Sequence, residues 1–240
     1  MKIYLFLLFI LPSILLANKK GEEIAELNLK SRGGKAAIGQ LVDFRFETST
    51  LSPMTGIEEN ALLMFSDSAF FVEQNVKGRR TVFAHNNKYS WFIAPFMGVD
   101  SAVNMSPQLK VQFESQFRQT LSFMKGIFYG YKQDSITVDY IDDIEEDGNK
   151  YHKLKLYRKN SDLTVEVWVD TKTNFESKLI INAPRGVTTI VFENHKIVKD
   201  IYFPHLLKTY LNGQHLSTLT FNEIILNEGL DPNIFEKPAE

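Results

Sequence analysis

Apolar residues recur at every fourth position in the segment 107–124: Leu109, Phe113, Phe117 and Leu121, joined by Val111, Phe123 and Met124. That spacing lays one oily stripe along a helix. Gln108, Lys110, Gln112, Glu114, Gln116 and Arg118 fall largely elsewhere on the wheel. Pro107 suits the first helical position, and Gly126 suits the end. Nearly everywhere else beyond residue 40 the period is two. Phe44, Phe46 and Thr48 alternate with Asp43, Arg45 and Glu47, as one face of a strand requires. Leu163, Val165, Val167 and Val169 share a face in the same way, which leaves Trp168 with Thr164 and Glu166 on the other. Turn signals separate these runs: Asn86-Asn87, Asp147-Gly148, Asn160-Ser161 and Asn212-Gly213, residues that tolerate positive φ. Residues 96–106 read as a loop. A shorter helical pattern at 22–31, with Ile24, Ala25 and Leu27 apolar, is ended by Gly33-Gly34.

About ten or eleven strands joined by tight turns imply antiparallel neighbours. A sheet of that many strands curls instead of staying flat. The fold class is therefore α+β, mainly β: a strongly curved antiparallel sheet, an incomplete β-barrel, closed by a helical lid. A lone oily helix in such a protein must lie on something apolar. It is either a plug packed into the core or a lid over a cavity.

The N-terminus changes the picture of where this happens. Lys2 precedes an apolar run from Ile3 to Leu16, broken at Pro12-Ser13 and ending at Ala17 before Asn18-Lys19-Lys20. This reads as a cleavable secretory signal over residues 1–17, too short for a membrane span. Residues 18–240 then form a single domain without a stable span. The chain has no cysteine, so an exported domain must be held by its core alone. It also lacks the cysteine that would make it a lipoprotein itself. The periplasm is the expected destination. A formal net charge of −2 offers no basic excess for nucleic acid.

Catalytic patterns are missing. There is no GxSxG elbow, HExxH pair, phosphate-cradling glycine loop or cysteine nucleophile. His85, His152, His195, His205 and His215 are scattered at no metal-ligand spacing and read as strand or surface residues. Asp143, Glu145, Asp147 and Gly148 match the opening of a calcium loop, but Leu154 stands where its bidentate Glu belongs. A solvated hairpin turn explains the run. No enzyme, metal site or cofactor is expected.

Three blocks, in order, resemble the LolA-like periplasmic lipoprotein carriers and outer-membrane lipoprotein-sorting proteins. Residues 87–96, NKYSWFIAPF, look like that family's turn followed by K-x-x-W-x-x-x-P. Residues 198–205, VKDIYFPH, are similar to V-x-G-I-x-F-P, with Asp200 in place of the usual Gly. Residues 227–238, NEGLDPNIFEKP, match N-x-x-L-x-x-x-x-F-x-x-P. The resemblance implies an incomplete barrel closed by helices over an apolar cavity, and non-covalent carriage of lipoprotein acyl chains or phospholipid toward the outer membrane. The partners it implies are an inner-membrane donor and an outer-membrane acceptor. The family's lid-holding Arg has no counterpart in Ser66-Asp67-Ser68-Ala69-Phe70-Phe71.

On this reading Leu109, Phe113, Phe117, Leu121 and Met124 face the ligand from the helix, and Phe44, Phe46 and Trp91 from the sheet, with Gly98 and Gly126 or Gly130 as hinges. Strand phase alone leaves open which face is concave. The alternative is a secreted envelope binding or scaffold module with no lipid cavity.

Overall fold

The computed structural model describes residues 10–158, 164–184 and 186–238, and within them all side chains except those of residues 10–17, 116, 118, 119 and 122. The first part of the expected signal and the Asn160-Ser161 turn lie outside the described residues.

The elements in chain order are α1 (Ile10–Ser31), α2 (Lys35–Gly39), β1 (Asp43–Leu51), β2 (Glu58–Ser66), β3 (Phe70–Val76), β4 (Arg79–His85), β5 (Ser90–Ala94) and β6 (Val99–Asn104). After α3 (Pro107–Lys125) come β7 (Ile136–Glu146), β8 (Asn149–Arg158), β9 (Thr164–Asp170), β10 (Glu176–Ala183), β11 (Gly186–Val198), β12 (Ile201–Leu211) and β13 (Gln214–Leu226). The fold is mainly β. Thirteen strands form one sheet in the order β6-β5-β4-β3-β2-β1-β13-β12-β11-β10-β9-β8-β7. It is unclosed, with β6 and β7 as its edges.

Tight turns set the antiparallel order. Lys77-Gly78, Asp147-Gly148, Lys199-Asp200 and Asn212-Gly213 each place two successive residues at positive φ, the twist that matches paired strands. Asp200 sits at φ 66, so the position favours the Gly of the resembling motif. Asn86-Asn87 turns the chain differently from expectation. The Asn86 side chain accepts hydrogen bonds from the backbone N–H of Lys88 at 2.9 Å and of Tyr89 at 2.7 Å. The side chain, and not a positive φ, makes that turn.

Two corrections concern element boundaries. Residues 99–104 are not loop but the edge strand β6, paired with β5. Its exposed, polar sequence hid it, since an edge strand half in water needs no apolar alternation. The first helix already includes Ile10, the first described residue, well before residue 22.

The chain forms two compact units. One comprises the residues up to 35 with 128–193 and 208–216. Here α1 lies on β7 so closely that a Cβ on Gly21 would stand 2.4 Å from the Val138 carbonyl oxygen. Ile24, Ala25 and Leu29 are buried in this unit, as are Val138, Leu154, Val167 and Val169. Arg32 and Glu176, both buried, pair at 3.3 Å, and the Asn28 amide donates to Glu176 at 2.8 Å. Glu26, bonded by the Lys35 ammonium, has its carboxyl pKa held below the usual range.

The second unit comprises residues 36–127, 194–207 and 217–240. It contains α3 and β1 to β6. The register aligns side chains in rows across one face. Phe44, Phe65, Phe70, His85 and Ser90 make one row; Phe46, Leu63, Val72, Phe83, Phe92 and Val103 make the next. The opposite face carries Phe71, Val82, Ala84 and Trp91.

Candidate apolar-ligand site

Ser106 caps α3, its hydroxyl accepting from the Leu109 N–H at 3.3 Å, with Pro107 in the first turn. The helix ends at Gly126, φ 109. This fixes the stripe 109, 113, 117 against the two aromatic rows. Phe113 stacks on Phe83 with ring centres 4.6 Å apart and faces Phe70 at 6.3 Å. Phe117 packs on Phe70 at 5.1 Å and stacks on Phe65 at 5.8 Å. Phe65 continues to Phe46 at 6.2 Å, and Phe46 to Phe44 at 5.8 Å and Phe221 at 5.4 Å. Leu109 joins Phe92, Ala94 and Met105 beside Phe113. Six strand phenylalanines, Phe221, Phe44, Phe46, Phe65, Phe70 and Phe83, thus form one continuous surface from β13 to β4, crossed by α3.

Leu121 and Met124 are half-buried on the C-terminal half of α3. Val111, counted with the apolar stripe, is instead 66% exposed. Trp91 is a second correction. It follows Ser90 and precedes Phe92, which face α3, so the strand period sends it to the other side. There it packs with Ala69, Phe71, Val82, Ala84 and Phe235, under Leu230 and Ile234. Its indole N–H donates to the Phe235 carbonyl at 3.0 Å. Asn227 clasps the same C-terminal segment, accepting from the Val42 N–H at 2.9 Å and donating to the Gln40 carbonyl at 2.9 Å. Trp91, Asn227, Leu230 and Phe235 are therefore one structural clasp on the face away from α3. The expected hinge at Gly98 is displaced too. β6 separates Gly98 from α3, and the Met105 N–H bonds the Ser90 carbonyl at 2.8 Å.

Sequence reasoning missed what holds α3 to the strands besides its rings. His85 Nε2 lies 3.6 Å from a Glu114 carboxylate oxygen, while its Nδ1 meets the Ser90 hydroxyl at 2.7 Å. Its ring stacks on Phe70 at 5.5 Å. Lys125 stands 3.6 Å from Asp67 in the β2–β3 turn, while Lys110, 3.7 Å from Glu114, pairs within α3 itself. Asp67, His85, Lys110 and Glu114 line a polar crevice of about 350 Å³ that reaches Phe117. No short motif flags such pairs, because 29 positions separate His85 from Glu114. Among the described residues no group of His, Asp and Glu could hold a metal ion. No described helix is long and apolar enough to cross a membrane.

No family model matches the sequence, and no curated protein does. Solved structures do match. A domain described as an outer membrane lipoprotein-sorting protein domain, from Vibrio parahaemolyticus, is 16% identical with a TM-score of 0.56, over 92% of this chain and 97% of that one. A LolA superfamily protein from Nitrosomonas europaea is 14% identical with a TM-score of 0.52, over 90% and 97%. A DUF1329 family protein from Desulfovibrio piger is 11% identical with a TM-score of 0.58, also over 90% and 97%. The fold is that of the LolA-like half-open barrel.

Proposed function

We propose that the chain is a periplasmic, non-catalytic carrier of acyl chains, taking lipoproteins or phospholipids toward the outer membrane. The observation that carries this is the aromatic surface under α3. It is a continuous apolar face held under a helix by ring contacts and by the Lys125–Asp67 and His85–Glu114 contacts. Phe113 and Phe117 themselves cover the face in the structure. Phe44, Phe46, Leu109, Leu121 and Met124 complete the proposed lining.

Loading then exchanges ring for chain. Re-exposing Phe113 and Phe117 costs about 1.5–3 kcal/mol each, and each methylene buried in their place returns about 0.8 kcal/mol. About four to eight methylenes offset the exchange, so a full acyl chain has surplus and a short acid does not. Gly126 is the proposed hinge on the C-terminal side of α3, and the link at Met105-Ser106 the one on the N-terminal side. Release follows when an acceptor binds the chain more tightly. The signal at residues 1–17 supplies export, and the donor and acceptor in the two membranes are part of the same proposal.

The test is titration of the mature chain with a fluorescent long-chain fatty acid. Wild type is expected to bind it. Phe117→Asp should weaken binding by about tenfold or more, since a carboxylate would be desolvated beside the chain, while circular dichroism keeps the β signal. Because rings already fill the space under α3, a second reading is an envelope binding module with α3 as a fixed plug. Under that reading Phe117→Asp unfolds the unit and wild type takes up no probe.

A further inference from the structure

We infer that the polar crevice beside α3 is a head-group subsite, for a phospholipid whose head carries a phosphate and a primary ammonium together. The inference deepens the carrier reading and rests on it, because the aromatic surface supplies the place for the chains.

The crevice joins that surface directly. Phe117 lines it and packs on Phe65 and Phe70 at the same time. A lipid whose chains lie along the rings therefore brings its head past Phe117 into the crevice. The walls come from three parts of the unit. Asp67 and Ser68 belong to the β2–β3 turn, His85 and Asn87 to the end of β4 and the turn after it, and Lys110 and Glu114 to α3.

Four of these groups have hydrogen bonds left to make. The Lys110 ammonium, 43% exposed, stands 3.7 Å from Glu114. The Asp67 carboxylate, 66% exposed, stands 3.6 Å from Lys125. Both distances exceed a direct hydrogen bond. Ser68 and Asn87 are exposed, and among the described residues neither side chain has a hydrogen-bond partner.

Position separates the two charges. Lys110 lies in the first turn of α3, whereas Asp67 meets Lys125, the last residue of that helix. A cation and an anion thus stand apart along one crevice. Phosphate oxygens accept from Lys110 and the Asn87 amide, and a primary ammonium donates to Asp67 and the Ser68 oxygen. Each contact to a charged group is of the stronger, charge-assisted kind. A glycerol head would give Asp67 only neutral hydroxyls, and a quaternary ammonium would give it no N–H at all. Among the described residues, Asp67 and Glu114 offset Lys110 and Lys125, so a purely anionic head gains no net attraction.

The experiment incubates the mature chain with vesicles that hold equal amounts of phosphatidylethanolamine and phosphatidylglycerol with identical acyl chains. The protein is recovered, and mass spectrometry quantifies both lipids extracted from it. Wild type should hold about tenfold more of the ethanolamine lipid, the factor that two partly exposed charge contacts supply together. The double variant Lys110→Gln/Asp67→Asn should bring the ratio to about one. A loosened α3 would move both lipids alike, since their chains are identical, and would leave the ratio where it was. Equal uptake by wild type, or a variant that keeps the preference, overturns the subsite and leaves the carrier reading in place. A wild type that takes up neither lipid nor the fatty-acid probe overturns the carrier reading and the subsite with it. Calorimetry with phosphoethanolamine and with inorganic phosphate, each free in solution, separates a lipid head from a soluble ligand. Neither should bind wild type measurably, because a factor of about ten is too weak to hold a ligand without its chains. Binding of either one alone would assign the crevice to a soluble ligand and overturn the lipid head.

Discussion

Trp91 carries the sharpest lesson at the scale of single residues. Among aromatic positions it stands in the most recognisable block, yet it serves the C-terminal clasp. Replacing it by Phe removes the bond to the Phe235 carbonyl and leaves that carbonyl to find another partner, costing about 1–3 kcal/mol. Fatty-acid uptake should be unchanged, because Trp91 lies on the face away from α3. Urea denaturation and probe titration of Trp91→Phe check both halves. Alternation made Phe44 and Phe46 legible as one face, and Trp91 as opposite to its neighbour Phe92. It could not say which face meets α3, since a slip of one residue reverses the answer. Pairings between distant residues were not legible. Arg32 with Glu176 and His85 with Glu114 are ordinary polar residues until folding brings them together. Gly21 reads as one more residue in a polar stretch, and only its approach to the Val138 carbonyl shows why a side chain there is excluded.

At the scale of elements, α3 was the most readable part. Its stripe, Pro107 and Gly126 set both ends where the structure has them, because caps and periodicity are local. β6 was unreadable for the complementary reason that an exposed edge has no buried face to mark it. The hold of α3 on its strands divides into rings and charges, and the charges are the adjustable part. When His85 carries a proton, its pair with Glu114 is worth about 1 kcal/mol, in the range of partly exposed pairs. Glu114→Gln should therefore raise the population of lifted helix by roughly fivefold. Stopped-flow mixing with the fatty-acid probe should show faster uptake by about that factor, with little change in thermal midpoint. An unchanged rate would mean that the rings alone set the barrier.

At the scale of the whole molecule, one open antiparallel sheet was legible from its turns, because Asp147-Gly148 and Asn212-Gly213 specify hairpins locally. The three family-like blocks mark fold-building parts: the β4–β5 turn with its Trp, the β11–β12 turn and the C-terminal clasp. They identify the architecture, and the proposed cargo site rests on the aromatic surface that α3 covers. That surface is the central claim, and native mass spectrometry tests it most directly. The mature chain, purified from an exporting bacterium under mild conditions, should carry a mass increment that extraction identifies as acyl lipid, and Phe117→Asp should lose it. A bare polypeptide mass, with no increment after incubation with long-chain lipid, would contradict the account.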